Sequence, residues 1–263
     1  AWHPMAADMV DVFSLNTGAP FAPFSRTPVL LFDFKATENL VANVGAIYQM
    51  QYLSQGPNGS SQDYIKHGGF ELYAGLSYVG KNFTARVGAD VLSIVPRWQG
   101  KVGGVTTNVK DRLTTVNPYI FAKYAKDAFS IQAKAVYHQG GEHISLLGGY
   151  ALLSTDNASK YTYTPIHGIT ANISTYYKFA DGWKAVLLLG YHKNFGLMKE
   201  IDFVNLTTFY YNSNGAKNLN SAFRVTPEIV YTIGKFDVGV EYECTGATYG
   251  NWATGLKSKG LAT

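Results

Sequence analysis

The chain has 263 residues, of which 46% are hydrophobic, 14% aromatic and only 15% charged, with 22 Lys and Arg against 18 Asp and Glu for a formal charge of +4. Soluble domains carry about 25% charged residues; this chain falls well short, is too aromatic to be disordered, and has no basic block of the kind that binds nucleic acid. No stretch approaches the ~20 apolar residues of a membrane helix, since the most apolar run near the middle, residues 185–189, is five long, and the single cysteine, Cys244, permits neither an internal disulfide nor a thiolate metal cluster.

The chain opens Ala-Trp-His without a charged-then-apolar leader, so any signal peptide is expected to lie outside it. Residues 1–27 show no periodic pattern and read as a loop, on the outer side or in a lumen. Residues 20–28 carry three prolines in nine positions and are expected to fold inward or pack.

From residue 28 onward, period-two alternation recurs ten times. The first and shortest sets Leu30, Phe32 and Phe34 against Asp33 and Lys35. Residues 40–52 put Leu40, Ala42, Val44, Ala46, Tyr48, Met50 and Tyr52 on one face. Residues 70–78 oppose Phe70, Leu72, Ala74, Leu76 and Tyr78 to Glu71, Gly75 and Ser77. The pattern continues through 83–91, 116–124, 129–137, 169–179, 183–191, 225–233 and 236–242. Such alternation predicts strands and excludes helices. Connections are alternately short (36–39, 80–82, 126–128, 180–182, 234–235) and long (54–68, 98–111, 139–165, 194–220), and Asp181-Gly182 supplies hairpin chemistry in one short turn.

The faces identify the solvent. Among these strands the apolar face carries no Lys, Arg, Asp or Glu. The other face is rich in Gly, Ser, Thr, Asn, Gln and Tyr. Aromatics gather toward the short turns (Phe34, Tyr78, Phe83, Tyr124, Phe129, Phe179, Trp183, Phe236) and again toward the long loops (Tyr48, Tyr52, Phe70, Tyr137, Tyr191, Tyr242). A charge-free band between two aromatic belts predicts an all-β fold, a transmembrane antiparallel β-barrel. The competing reading is a soluble β-sandwich or small ligand-binding barrel, but soluble strands average ~5–6 residues. A tilted bilayer span needs roughly 9–11, nearer the lengths seen here.

Short turns of such barrels are periplasmic and long loops external, which puts both 1–27 and 250–263 on the outer side. Strands are therefore expected to be missing at both ends, with ten readable in 28–249 and about 16 in the complete barrel, residues 1–263 forming part of a single domain. Trp2-His3-Pro4-Met5, residues 14–21 and Pro23-Phe24-Ser25-Arg26, with Tyr48-Gln49-Met50-Gln51 and Gly148-Gly149-Tyr150, resemble the porin-like outer-membrane proteins of the Bacteroidota. That resemblance implies a cell outer-membrane protein akin to trimeric diffusion porins.

If apolar residues face lipid, the alternate positions line the interior. Besides Asp33 and Lys35, the expected pore-lining charges are Glu71, Arg86, Asp90, Lys123, Lys134, Lys178, Lys184, Arg224, Glu228, Asp237, Glu241 and Glu243. Lys123, Lys134, Lys178 and Lys184 make a cationic wall on four consecutive strands. Glu228, Asp237, Glu241 and Glu243 make an anionic wall on the next two, and the pair would set a transverse field across the lumen; the plainer reading is that these charges merely keep the interior wet. The apolar run 144–153 in the loop 139–165 is costly if exposed, so it is expected to constrict the lumen, extend the sheet or meet a neighbouring protomer. His138, His143 and Ser145 lie close in sequence, and Asn172 and Ser174 share a strand face, but nothing fixes nucleophile geometry. None of His138, His143, His167 and His192 pairs at ligand spacing on one element. The expected function is a porin passing small hydrophilic solutes or ions, with outer-membrane lipid and further copies of the chain (a homotrimer) as partners, and with no nucleic acid, cofactor, metal or enzymatic step. The alternative is a plugged barrel serving as anchor, adhesin or partner-binding surface protein.

Overall fold

The structure, a computed structural model, describes residues 1–13, 18–50, 52–61, 67–102, 104–145, 148–155, 160–201, 208–211, 218–252 and 261–262. In chain order the strands are β1 (Val29–Lys35), β2 (Leu40–Ile47), β3 (Glu71–Val79), β4 (Phe83–Ile94), β5 (Gln99–Val102), β6 (Val105–Asn108), β7 (Leu113–Lys126), β8 (Phe129–Gln139) and β9 (Tyr150–Thr155). They continue as β10 (Tyr161–Ala180), β11 (Trp183–Leu197), β12 (Phe209–Tyr210), β13 (Leu219–Ile233), β14 (Phe236–Glu241), β15 (Cys244–Tyr249), β16 (Asn251–Trp252) and β17 (Leu261–Ala262). The ten alternating segments become one antiparallel sheet in the order β1-β2-β3-β4-β7-β8-β10-β11-β13-β14. The long connections add the separate hairpin β5-β6 and the pairs β9-β10 and β9-β12.

Residues directly opposite one another in a ladder share a face, so the register tests the alternation. Leu72 faces Val91, Ala74 faces Ala89 and Leu76 faces Val87 across β3 and β4, and Val87 in turn faces Ile120 on β7. Apolar meets apolar, and this face is the exposed one: Leu72 is 56% and Ile120 61% accessible, whereas Glu71, Asp90, Asn117 and His192 on the opposite face are buried. A water-soluble sheet has the reverse arrangement. Apolar side out, polar side in and every central strand paired on both edges is the construction of a transmembrane β-barrel wall. Aromatic contacts mark its short-turn rim, with Trp183 and Tyr231 ring centroids 4.7 Å apart and Tyr78 and Phe83 at 6.3 Å.

Two prolines inside the wall shape it, because proline has no N–H to give a ladder. The pairing of β7 with β8 runs from Lys126 back to Tyr119 and stops before Pro118. Side chains satisfy the backbone beyond it: Val116 N donates to Gln139 Oε1 at 3.3 Å and Gln139 N to Asn117 Oδ1 at 2.7 Å. Opposite Pro227 the last strand breaks into β14 and β15, and Tyr242 N donates to Pro227 O at 3.0 Å.

The strand ends differ from the sequence reading where the long loops begin. β2 stops at Ile47, and Tyr52, expected in the outer aromatic belt, turns inward to pack with Leu92, Ile94, Leu113, Tyr150, Leu152 and Tyr163. Apolar neighbours on β4, β7, β9 and β10 give this phenol ring more cover than the rim does. The apolar run in the loop 139–165 divides. Ile144 enters the interior beside Met5, Tyr73 and Tyr119, while Tyr150, Ala151 and Leu152 sit on β9 and extend the sheet along β10. Leu146 and Leu147 lie outside the described residues.

Candidate functional site

Of residues 1–27, the described ones, 1–13 and 18–27, form a segment whose ends meet. Ala1 N donates to Thr27 O and Thr27 N to Ala1 O, both at 3.0 Å, and His3 N donates to Ser25 O at 2.9 Å. Arg26 stacks over the Trp2 ring with its guanidinium carbon 4.1 Å from the centroid. Between those ends the chain crosses the polar face of the sheet. The wall offers side-chain donors and the loop offers backbone carbonyls: Lys134 Nζ donates to Met5 O and Asp8 O at 2.9 Å, Gln132 Nε2 to Met9 O at 2.7 Å, Asn172 Nδ2 to Phe21 O and Arg224 Nη1 to Ala19 O, each at 2.8 Å. The apolar gaps in that face are filled too. Met5 packs with Ile47, Tyr73, Phe121 and Val136, and Val10 and Ala22 pack on Leu188. Phe21 lies against Gly190, where an added Cβ would stand 2.4 Å from the Phe21 ring.

Burial is therefore graded along each strand. On β7 the inward positions are buried from Leu113 to Phe121 and half-buried at Lys123 and Ala125; on β10 the last buried one is Ser174 and Tyr177–Ala180 is exposed. The half of the interior nearer the long loops is filled, and the half nearer the short turns is open.

The expected pore-lining residues divide along this gradient. Glu71 and Asp90 are fully covered by the loop 1–27 and the turn 139–145. Arg86 holds Asp8 at 2.8 Å and Ser77 at 2.9 Å, and Lys134 is spent on the carbonyls above. Lys184 reaches Asp11 at 3.2 Å. On the acidic side Glu241 Oε2 and Glu228 Oε2 both accept from Phe13 N, at 2.9 and 3.2 Å, and Glu243 pairs with Arg224 at 3.0 Å. The two expected walls thus face the same loop, which gives an aspartate to the lysine side and an amide to the glutamate side. Lys123, Lys178 and Asp237 stand toward the open short-turn end, with Lys178 directly opposite Lys184 in the ladder and Thr232 Oγ1 donating to Asp237 at 2.7 Å.

Sequence reasoning missed a four-residue cluster. His3 Nε2 lies 2.7 Å from Glu71 Oε1, and His143 Nε2 lies 3.1 Å from the same oxygen; Asp90 completes the group, 3.8 Å from His3 and 4.0 Å from His143, and all four side chains are inaccessible. Alternation placed both carboxylates inward, but the histidines arrive from a loop and a turn, whose register no periodicity reveals. Burial works against charging His143, but the Glu71 carboxylate outweighs it and raises its pKa above the ordinary imidazole value. Next to it burial raises the Glu142 carboxyl, against the opposing pull of hydrogen bonds from the Ser54 hydroxyl and from the Ser54 and Leu53 amides.

Other chemistry-bearing side chains form hydrogen-bonded and stacked groups among the described residues. Ser145 Oγ meets Thr170 Oγ1 at 2.9 Å, Thr170 in turn meets His192 Nδ1, and His192 Nε2 has no partner among the described residues. His138 stacks on His192 with centroids 5.3 Å apart, and Ser174 accepts from the Asp11 amide at 3.4 Å.

No family profile matches the chain, and no curated protein matches it in sequence. In fold it is similar to the outer membrane channel DcaP of Acinetobacter baumannii, with a TM-score of 0.70 over 99% of this chain and 67% of that chain at 14% sequence identity. A second solved structure, the toluene transporter TodX of Pseudomonas putida, superposes with a TM-score of 0.39 at 11% identity, over 84% of this chain and 68% of that chain.

Proposed function

We propose that this β-barrel wall belongs to the cell outer membrane and is a porin-type channel through which small hydrophilic solutes or ions diffuse, with residues 1–27 as its internal constriction. The observation that carries the reading is the inside-out sheet: an exposed apolar face on one side, and on the other a polar face that ends in a mouth of Lys123, Lys178, Lys184 and Asp237. The fold shared with an outer membrane channel supports it. No chemical step belongs to this reading; solutes are sorted by width and by charge placement. A homotrimer of the kind formed by diffusion porins, and kinship with the Bacteroidota porin-like proteins, form part of the same proposal. Cross-linking of the protein in native membranes tests the first.

A second reading, a plugged barrel that anchors or binds a surface partner, is favoured by the complete burial of Glu71 and Asp90 under the loop. Single-channel conductance of the complete, detergent-extracted protein in planar bilayers separates the two. Stable steps with a reversal potential near zero in a salt gradient are expected of an open channel with balanced wall charge. Silence from correctly folded protein overturns the channel and favours the plug.

A further inference from the structure

Four ligand-type side chains from four separate parts of the chain converge behind the N-terminal loop: His3 from the loop, Glu71 at the start of β3, Asp90 on β4 and His143 in the turn after β8. One donor atom from each lies within 4.8 Å of all the others. Donors held about 2.0–2.2 Å from a tetrahedral zinc ion lie roughly 3.3–3.6 Å from one another; the separations of 2.7, 3.1 and 3.8 Å around Glu71 Oε1 and Asp90 Oδ1, with all four donors within 4.8 Å, are of that order. Two imidazole nitrogens with two carboxylates make a borderline donor set suited to zinc and its neighbours. The two carboxylates also balance a double positive charge.

Two features go beyond proximity. Asp90 Oδ1 is fully buried with no hydrogen-bond partner among the described residues, and its nearest cationic neighbour, His3 Nε2, is 3.8 Å away. Burying a carboxylate oxygen unpaired is costly. Further, each carboxylate is gripped by its outer oxygen: Gln49 Nε2 donates to Glu71 Oε2 at 2.7 Å and Asn117 Nδ2 to Asp90 Oδ2 at 3.0 Å. That leaves Glu71 Oε1 facing both histidines and Asp90 Oδ1 facing His3, as outer partners orient carboxylates around a metal. A cavity whose lining includes Glu142, His143 and Ser145 adjoins the cluster.

We propose that His3, Glu71, Asp90 and His143 bind one divalent transition-metal cation of the zinc class, which fastens the N-terminal loop and the turn after β8 to the wall at β3 and β4. Glu71 and Asp90 are the ready ligands; His143, whose Nε2 donates to Glu71 Oε1, coordinates once that proton moves to its Nδ1, which has no partner among the described residues. His3 adjusts likewise: Met5 N donates to its Nδ1 at 3.2 Å, so Nε2 carries the proton, and coordination through Nε2 shifts that proton to Nδ1 and frees the Met5 amide. The proposal is independent of whether the barrel conducts.

The test uses the complete protein in detergent, stripped with a chelator, dialysed, and titrated with zinc chloride at neutral pH, with bound metal counted by atomic emission. One equivalent is expected for the natural protein, and an affinity weaker by on the order of tenfold or more in Asp90→Asn and His143→Gln. Less than half an equivalent, or unchanged binding in the His3→Gln/His143→Gln double variant, overturns the site. Because a misfolded variant would also bind nothing, X-ray absorption of the natural protein loaded with zinc supplies a second criterion. A nitrogen and oxygen shell with two imidazoles supports the proposal, and a shell lacking imidazole overturns it.

Discussion

At the scale of single residues, the contact between Phe21 and Gly190 shows how the loop is held. The inward face of β11 has no side chain at 190, and the Phe21 ring occupies that space. A Gly190→Ala variant forces the ring out, and a loss of roughly 1–3 kcal/mol is expected from overpacking, read from denaturant titration of the folded protein in detergent. Phe21→Ala should cost about 3–5 kcal/mol on its own, as large core truncations do. Combined with Gly190→Ala it should cost less than the sum, because the clash disappears with the ring. Strict additivity in the double variant would mean that the two positions do not touch. Lys134 makes a different kind of contact, two charge-assisted bonds to loop carbonyls. Lys134→Met leaves both carbonyls without their donor, and hydrogen exchange of the amides at residues 5–9 should accelerate while that of β7 and β8 does not change.

Elements tell how much of this was legible beforehand. All ten wall strands can be read from alternation, because lipid on one side and polar cover on the other impose period two at every step. Strand ends are less legible: β10 extends back to Tyr161 through Pro165 because β9 pairs with it, and β9 itself carries no alternating signal. Short elements such as β5, β6 and β12 take their order from neighbours. Of the buried cluster, Glu71 and Asp90 were visible as inward charges, but their partners His3 and His143 lie 68 and 72 residues from Glu71 in the chain and come from aperiodic segments. The break between β14 and β15 makes a prediction at this scale. Pro227→Ala restores one N–H on the side where Tyr242 already donates to residue 227. Exchange of the amides from 241 to 244 should slow as the two strands join, with a gain on the order of 1 kcal/mol; unchanged exchange would show that proline is not the cause of the break.

For the whole molecule, the channel reading makes residues 1–27 the segment that sets what the interior can pass. Its two ends are 3.0 Å apart at Ala1 and Thr27, so residues 4–24 can be replaced by a short glycine linker without pulling on β1. On the channel reading, that deletion should raise single-channel conductance severalfold, because conductance follows the open cross-section. It should also expose Lys134, Arg86 and Arg224, now engaged by the loop, and shift ion preference toward anions. An unaltered conductance would place the constriction elsewhere.

The loop's partners also constrain the order in which the protein can be assembled. Residues 1–27 precede every strand that holds them, and the amide of Phe13 is bound by Glu228 and Glu241, 215 and 228 residues later. Closing such long chain segments is slow compared with pairing adjacent strands. The contacts of Phe13 are thus made only after those later strands are in place. Until β13 arrives, Phe21 lacks Leu219 and Ala222, whereas Met5 is covered by strands up to β8 and Val10 by Leu188 on β11. The seating of Phe13 and Phe21 therefore waits on β13, and the docking of that part of the segment follows the pairing of the hairpins that precede it.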